Sequence, residues 1–179
     1  MPTKTPLTTK KFLKKRKPYD LVDENDKLVR LGFREDAKKL GLWRRVVHIL
    51  VFNARGELLI CKRPPWTNSY PGLITSSAGG KVEAGETYRA AARRELREEL
   101  RIVSPVKELG RFDVQTKKHG KVIHRLFSTH AEKVRPHRSE IIATRFVTIS
   151  DVSRDARLHP KRYALPFIKA LKFYKSKTK

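Results

Sequence analysis

Gly80-Lys81-Val82-Glu83-Ala84-Gly85-Glu86 runs directly into Thr87-Tyr88-Arg89-Ala90-Ala91-Ala92-Arg93-Arg94-Glu95-Leu96-Arg97-Glu98-Glu99-Leu100-Arg101-Ile102. In the first part, Gly79, Gly80 and Gly85 permit close backbone approach and unusual φ angles, which predicts a tight loop. From Thr87 to Leu100 there is neither Gly nor Pro, and Ala, Leu, Arg and Glu predominate, which predicts a helix. On that helix Glu95, Glu98 and Glu99 stand at i, i+3 and i+4 and share a face. Three carboxylates so placed repel one another unless a cation lies between them, and magnesium, a hard ion that takes oxygen ligands, suits the position. A mixed-charge helix could also be a solvated one whose glutamates pair with Arg93, Arg94, Arg97 and Arg101. The glycine loop directly before it favours the ion site.

Working outward, this loop and helix are preceded by a short strand expected at 74–78 and a proline-held loop at 64–74, with Pro64, Pro65, Pro71 and Gly72 as breakers. Upstream, Arg45 to Phe52 and Glu57 to Arg63 flank the turn Asn53-Ala54-Arg55-Gly56 and predict a central hairpin. Arg34 to Leu42 predicts a short helix stopped by Gly41, and a first hairpin is expected around Asp23-Glu24-Asn25-Asp26. Downstream, strands are expected at 103–115, 121–131 and 141–149. A short helix capped by Ser150 should follow, and then a last helix over 162–175. Strands outnumber helices and several are hairpin-linked, so the class is α+β. The expected organisation is a basic N-terminal tail over 1–18, one domain over 19–175, and a basic C-terminal tail over 176–179.

The chain has 179 residues and a formal charge of +24, from 42 Lys plus Arg against 18 Asp plus Glu. That excess exceeds what solubility needs and implies a polyanionic partner. Residues 1–18 carry seven of the basic residues and no acid, so RNA contact through the basic tails and a solvated arm are both open readings. Cys61 is the only cysteine, which excludes an intrachain disulfide or a cysteine-based zinc site and fits a reducing, cytoplasmic setting. The acid-free N-terminus gives organelle import as the alternative. No apolar run reaches the length of a membrane span. Nothing in the chain speaks to its oligomeric state.

Gly80, five residues, Glu86, seven residues, then Arg94-Glu95-Leu96-Arg97-Glu98-Glu99-Leu100-Arg101-Ile102 closely resembles the Nudix box. Only Arg101 departs, standing where the family usually has glycine. The resemblance implies an α/β/α sandwich with a mixed β-sheet between helices, and hydrolysis of a diphosphate linkage in a nucleotide or other diphosphate substrate. It also implies that Glu95, Glu98 and Glu99 hold Mg²⁺, with Mn²⁺ as the alternative and a Gly79 or Gly80 carbonyl as a further ligand. Arg94 would orient a glutamate and Glu86 would brace the loop. The general base would be a box glutamate or Glu140, the candidate from outside the box. For substrate, Trp66 and Tyr70 are candidates to stack on a base, and Arg45, Arg63 and Lys81 to hold phosphates.

Beyond the box, Leu21-Val22-Asp23-Glu24-Asn25-Asp26, Leu42-Trp43-Arg44-Arg45-Val46-Val47-His48 and Pro71-Gly72 are similar to the subset related to isopentenyl-diphosphate isomerase. That reaction needs a cysteine before the box and histidines for its metal. Gly79 stands about where the cysteine belongs, and Lys81 and Arg44 replace histidines. A third reading is a Nudix fold used without turnover, as a basic RNA-binding or ribosome-associated protein; an intact acidic box argues against it.

Overall fold

The computed structural model describes residues 17–178. Nearly all of the expected N-terminal tail therefore lies outside the described residues.

The sheet is organised by β3 (Trp43–Phe52), whose apolar, β-branched run is covered on both faces, as a continuous hydrophobic strand requires. Along one edge it pairs in parallel with β8 (Gly120–His130), from Trp43 opposite Lys121 to Phe52 opposite His130. β7 (Lys107–Thr116) extends the sheet antiparallel to β8. Along its other edge β3 meets three strands in succession: β1 (Tyr19–Val22) at Trp43, β6 (Ala78–Lys81) over Val46–Ile49, and β4 (Leu58–Lys62) at Phe52. β1 forms the expected first hairpin with β2 (Leu28–Gly32). α1 (Arg34–Leu40) stops at Gly41, whose φ is +66°.

The central hairpin is narrower than its sequence suggests. β3 and β4 share only the Phe52–Leu58 pair, and β4 then turns to β9 (Ala143–Val147) and β5 (Ile74–Thr75). The expected strand over 74–78 is likewise two strands. It breaks at Ser76-Ser77, where the chain leaves β4 for β3. The buried Ser77 hydroxyl bridges the gap, donating to the Leu59 carbonyl at 2.6 Å and accepting from the Val51 amide at 2.8 Å. A side chain thus supplies the backbone pairing that the crossover interrupts.

Alternation along β3 divides the core. Val47, Ile49 and Val51 face α2 (Tyr88–Leu100), packing with Ala91, Ala92, Leu96 and Leu100. Leu50 and Phe52 face α3 (Ile149–Leu158) and α4 (Leu165–Lys177) with Phe167 and Leu171. The result is the α+β sandwich with a mixed sheet between helical layers. Each fully buried side chain of this size contributes about 1.5–3 kcal/mol. On the α3/α4 face His48 and His124 lie with Phe112, whose ring stacks on His124 at 5.0 Å. Burial lowers the pKa of both imidazoles, His48 to about 4.

Two helix starts differ from expectation. Thr148, not Ser150, caps α3, its hydroxyl accepting from the Asp151 amide at 3.1 Å, while the Ser150 hydroxyl bonds to that of Thr148. α4 begins at Leu165 after a 3₁₀ turn over Pro160–Arg162, so Leu165 is partly exposed and Pro166, Phe167, Ala170 and Leu171 form the buried stripe. Among the described residues no helix is long and apolar enough to cross a membrane.

Candidate active site

The site is built where β6 passes β3 and turns into α2. Gly79 and Gly80 lie in β6 because nothing larger fits: a Cβ on Gly79 would sit 2.6 Å from the Val47 carbonyl oxygen, and one on Gly80 would collide with the Glu95 carboxylate. The loop then closes on itself. The Glu86 amide donates to the Glu83 carbonyl at 3.0 Å, the Glu83 amide donates back to Glu86 Oε2 at 3.0 Å, and Thr87 caps α2 by accepting from the Ala90 amide. Gly85, at φ +72°, donates its amide to the Asp20 carboxylate of β1 at 3.1 Å. Asp20 is a brace that sequence reasoning missed. It lies 65 positions away in an unremarkable hairpin, with no local spacing to mark it.

Arg94 is the hub. Its Nε and Nη2 donate to the two oxygens of Glu86, both at 2.9 Å, its Nη2 also reaches the Lys81 carbonyl, and its Nη1 donates to Glu95 at 2.7 Å and to Glu98 at 3.3 Å. The bidentate fork fixes its plane. For Glu86, burial raises the carboxyl pKa, but the Arg94 fork and the Glu83 amide outweigh it, and the net direction is down.

The three box glutamates are not equivalent. Glu95 and Glu99 are buried, each with 8% of its surface exposed, whereas Glu98 is exposed. Glu99 accepts a hydrogen bond from the Gly79 amide at 3.2 Å. Burial, then the charge of Glu95, pushes its pKa up to about 8, and Glu140 adds a smaller push in the same direction. Glu95 is raised as well, chiefly by burial and against the pull of Arg94. Two buried carboxylates thus act on one another electrostatically, with Arg94 as the counter-charge of Glu95 and only the weaker pull of Arg63 on Glu99.

An all-oxygen donor set with a deficit of positive charge fits a hard divalent cation and not zinc or copper. Among the described residues no three His, Cys, Asp or Glu side chains already converge on one point. Glu98 points at Arg94 and would have to turn to join the other two.

Glu140, exposed, follows a segment docked on the end of α2. The His137 amide donates to the Glu99 carbonyl at 2.7 Å and the Arg135 amide to the Leu100 carbonyl at 3.0 Å, satisfying carbonyls that the helix end leaves open. Of the substrate candidates, Arg63 is close enough for its charge to act on Glu99, and its Nε donates to the Ser69 carbonyl. Trp66 is 69% exposed on the same loop. Tyr70 stacks on His119 at 4.7 Å, and the Lys81 ammonium lies over Tyr19. Arg45 is drawn elsewhere, donating to Asp26 Oδ1 at 2.7 Å and ion-pairing with Asp20. Cys61 is buried in β4 with its thiol donating to the Ser77 carbonyl, and burial pushes its pKa upward, so it offers no accessible thiolate for isomerase chemistry.

The family model described as NUDIX domain matches residues 42–167. The chain belongs to the Nudix family. An uncharacterized Nudix hydrolase of Pseudomonas aeruginosa is 44% identical over 92 residues, 51% of this chain and 54% of that protein. A Nudix hydrolase of Deinococcus radiodurans is 41% identical over 83 residues, 46% and 48% of the respective chains. The chain spans about half the length of these curated relatives. Among solved structures, DR0079 from Deinococcus radiodurans superimposes with a TM-score of 0.73 at 26% identity, covering 87% of this chain and 98% of that one. The Nudix domain of Shewanella oneidensis NrtR, solved with ADP ribose, shares the fold at a TM-score of 0.61 and 13% identity, covering 76% and 89%.

The one departure in the Nudix box has a visible cost. Arg101 ends α2 at φ +59°, its amide donating to the Arg97 carbonyl and the Ile102 amide to that of Leu96, each at 3.2 Å. This is the left-handed closure that glycine adopts without a Cβ penalty. Arg101→Gly is therefore expected to raise unfolding free energy by about 0.5–1 kcal/mol in chemical denaturation. A decrease would mean that the arginine side chain holds the turn.

Proposed function

We propose that this Nudix protein is a Mg²⁺-dependent hydrolase, with Mn²⁺ as the alternative ion, that cleaves a diphosphate linkage. Its substrate class is a nucleoside di- or triphosphate or a nucleoside diphosphate joined to another group, the 5′ end of an RNA included. The observation that carries this reading is the buried pair Glu95 and Glu99 set against Gly79-Gly80, with Arg94 paired to Glu95 and Glu99 left without an ion-pair partner among the described residues.

Glu95, Glu98, Glu99 and the Gly80 carbonyl would hold the ion. When bound there, a divalent ion neutralises diphosphate charge and lowers the pKa of a coordinated water. The protein's own contributions are positional. Arg94 fixes Glu95, Glu86 fixes Arg94, and the Gly79 amide orients Glu99. The proton of the attacking water passes to a carboxylate oxygen, of a box glutamate or of Glu140. Arg63 and Lys81 meet phosphate, while Trp66 and Tyr70 offer faces to a base. Arg45, assigned to substrate on sequence grounds, serves better as the anchor that ties β3 to Asp26.

The test is a Mg²⁺-supplemented screen of nucleotides, nucleotide sugars including ADP ribose, dinucleoside polyphosphates and 5′-triphosphate RNA. Turnover of at least one class is expected, lost on chelation and restored by Mg²⁺ or Mn²⁺. Chelator-resistant turnover, or none in any class, would refute the assignment.

A further inference from the structure

α2 carries a second pattern on the side turned away from the core. Arg89, Arg93, Arg97 and Arg101 recur every four residues and are all exposed. Side chains four apart form one ridge along a helix, and four residues advance it by about 6 Å. The ridge is therefore a row of guanidinium groups at an interval comparable to that of successive phosphates on an extended nucleic-acid strand.

Three further observations single this row out from ordinary surface charge. Among the described residues, Arg93, Arg97 and Arg101 make no ion pair or side-chain hydrogen bond, whereas Arg94 on the adjacent face spends its donors on Glu86, Glu95, Glu98 and the Lys81 carbonyl. Arg93 and Arg97 also form one wall of a groove of about 300 Å³ whose other wall is Ile102, Val103, Ser104 and Pro105, with no carboxylate among its lining residues. In that wall Val103 is 88% exposed, an apolar side chain standing beside the cations. Finally, Arg101 holds a left-handed backbone conformation and, among the described residues, its side chain has no partner to offset the strain. A strained residue without a structural return points to function.

We infer that the arginine ridge of α2, with the groove beside it, is a docking track for a single RNA strand, whose phosphates pair with Arg93, Arg97 and Arg101. Guanidinium forks suit phosphate oxygens, and Val103 provides a surface for a base. Arg89 serves as the anchored end of the row, its Nη1 donating to the Val106 carbonyl at 2.8 Å. A lipid surface fits less well, because membrane-lying helices need a broad apolar face, and among the described residues α2 exposes no large apolar side chain, Val103 standing beyond its end. The net charge of +24 supplies the long-range attraction, while the ridge supplies the register. The inference does not depend on hydrolysis.

The experiment uses the full chain with chelator present and a short 5′-hydroxyl single-stranded RNA, so that the proposed active site contributes no turnover. Affinity is followed by fluorescence anisotropy across a salt series. The triple variant Arg93→Gln/Arg97→Gln/Arg101→Gln is compared with Lys172→Gln/Lys175→Gln/Lys177→Gln, which removes equal charge from the exposed side of α4. The ridge variant should bind at least about tenfold more weakly and flatten the slope of log affinity against log salt by about 2, with the lysine variant changed far less. Arg101→Gly should melt no lower than the unmodified chain and yet bind more weakly, separating docking from folding. Equal losses in the two triple variants would reduce the attraction to diffuse charge and overturn the inference. So would unchanged RNA affinity in the ridge variant, or a loss confined to phosphatidylserine vesicles.

Discussion

Glu99→Gln is expected to lower kcat by at least about 10³-fold at saturating Mg²⁺ while leaving the fold intact, because it removes one charge from the proposed ion site and a candidate proton acceptor together. The amide oxygen can still accept from the Gly79 amide, so the loop keeps its contact. The same substitution has a signature that needs no substrate. In the metal-free protein the Glu99 carboxyl is pushed up to about 8 from an ordinary 4.5, by burial first and then by the charge of Glu95. A carboxyl raised on folding favours the folded state while protonated. Its contribution is complete below pH 4.5 and is lost as the pH climbs towards 8, at up to about 1.4 kcal/mol per pH unit. Thermal melts of the chelated protein should therefore fall across that window. Added Mg²⁺ should reverse the fall by binding only the folded state, and Glu99→Gln should flatten it. Full activity in the variant, or melting indifferent to pH and Mg²⁺, would remove Glu99 from the site.

Arg94→Ala should be the most destabilising single change in the box. It strands Glu86 and Glu95, whose side chains are 15% and 10% exposed, without their shared counter-charge. Removing one partner of a largely buried pair costs about 3 kcal/mol, which for a chain of this size lowers Tm by roughly 6–12 °C. Activity should fall about 10²-fold as well, since freeing Glu95 displaces a proposed ligand by an ångström or more. Arg94→Lys discriminates between charge and shape. A lysine restores one positive charge but not the two-pronged grip on Glu86, so it should recover part of the stability and little of the activity. Equal behaviour of alanine and lysine variants, both near wild type, would show that the hub is not needed.

How far the site could be read from the chain depended on distance along it. Glu95, Glu98 and Glu99 share a helix face because of helical periodicity, and Glu86 lies eight positions from Arg94, within one loop and one helix. Such relations are local and survive in the sequence. The difference between a buried Glu99 and an exposed Glu98 is not local, since it depends on which side of α2 meets β3 and β6. The pairing of Arg45 with Asp26 is likewise invisible in any short window, because the two lie 19 positions apart. The divided strand at Ser76-Ser77 and the narrow β3–β4 hairpin go together, because β5 pairs with β4 while β6 pairs with β3, a register that no short window contains. Of the fold, the helices, the first hairpin and the α+β class were accessible; the order in which strands share the edge of β3 was not.

The bond from Gly85 to Asp20 gives the box loop an unusual dependency. The matched domain begins at residue 42, so the carboxylate that fastens the loop belongs to a segment upstream of it. In the folded chain β3 pairs with both β1 and β6, and so holds the two ends of the clasp side by side. The site thus depends on a long-range contact, and trimming or fusing the N-terminal hairpin is expected to loosen a loop that lies in the middle of the chain.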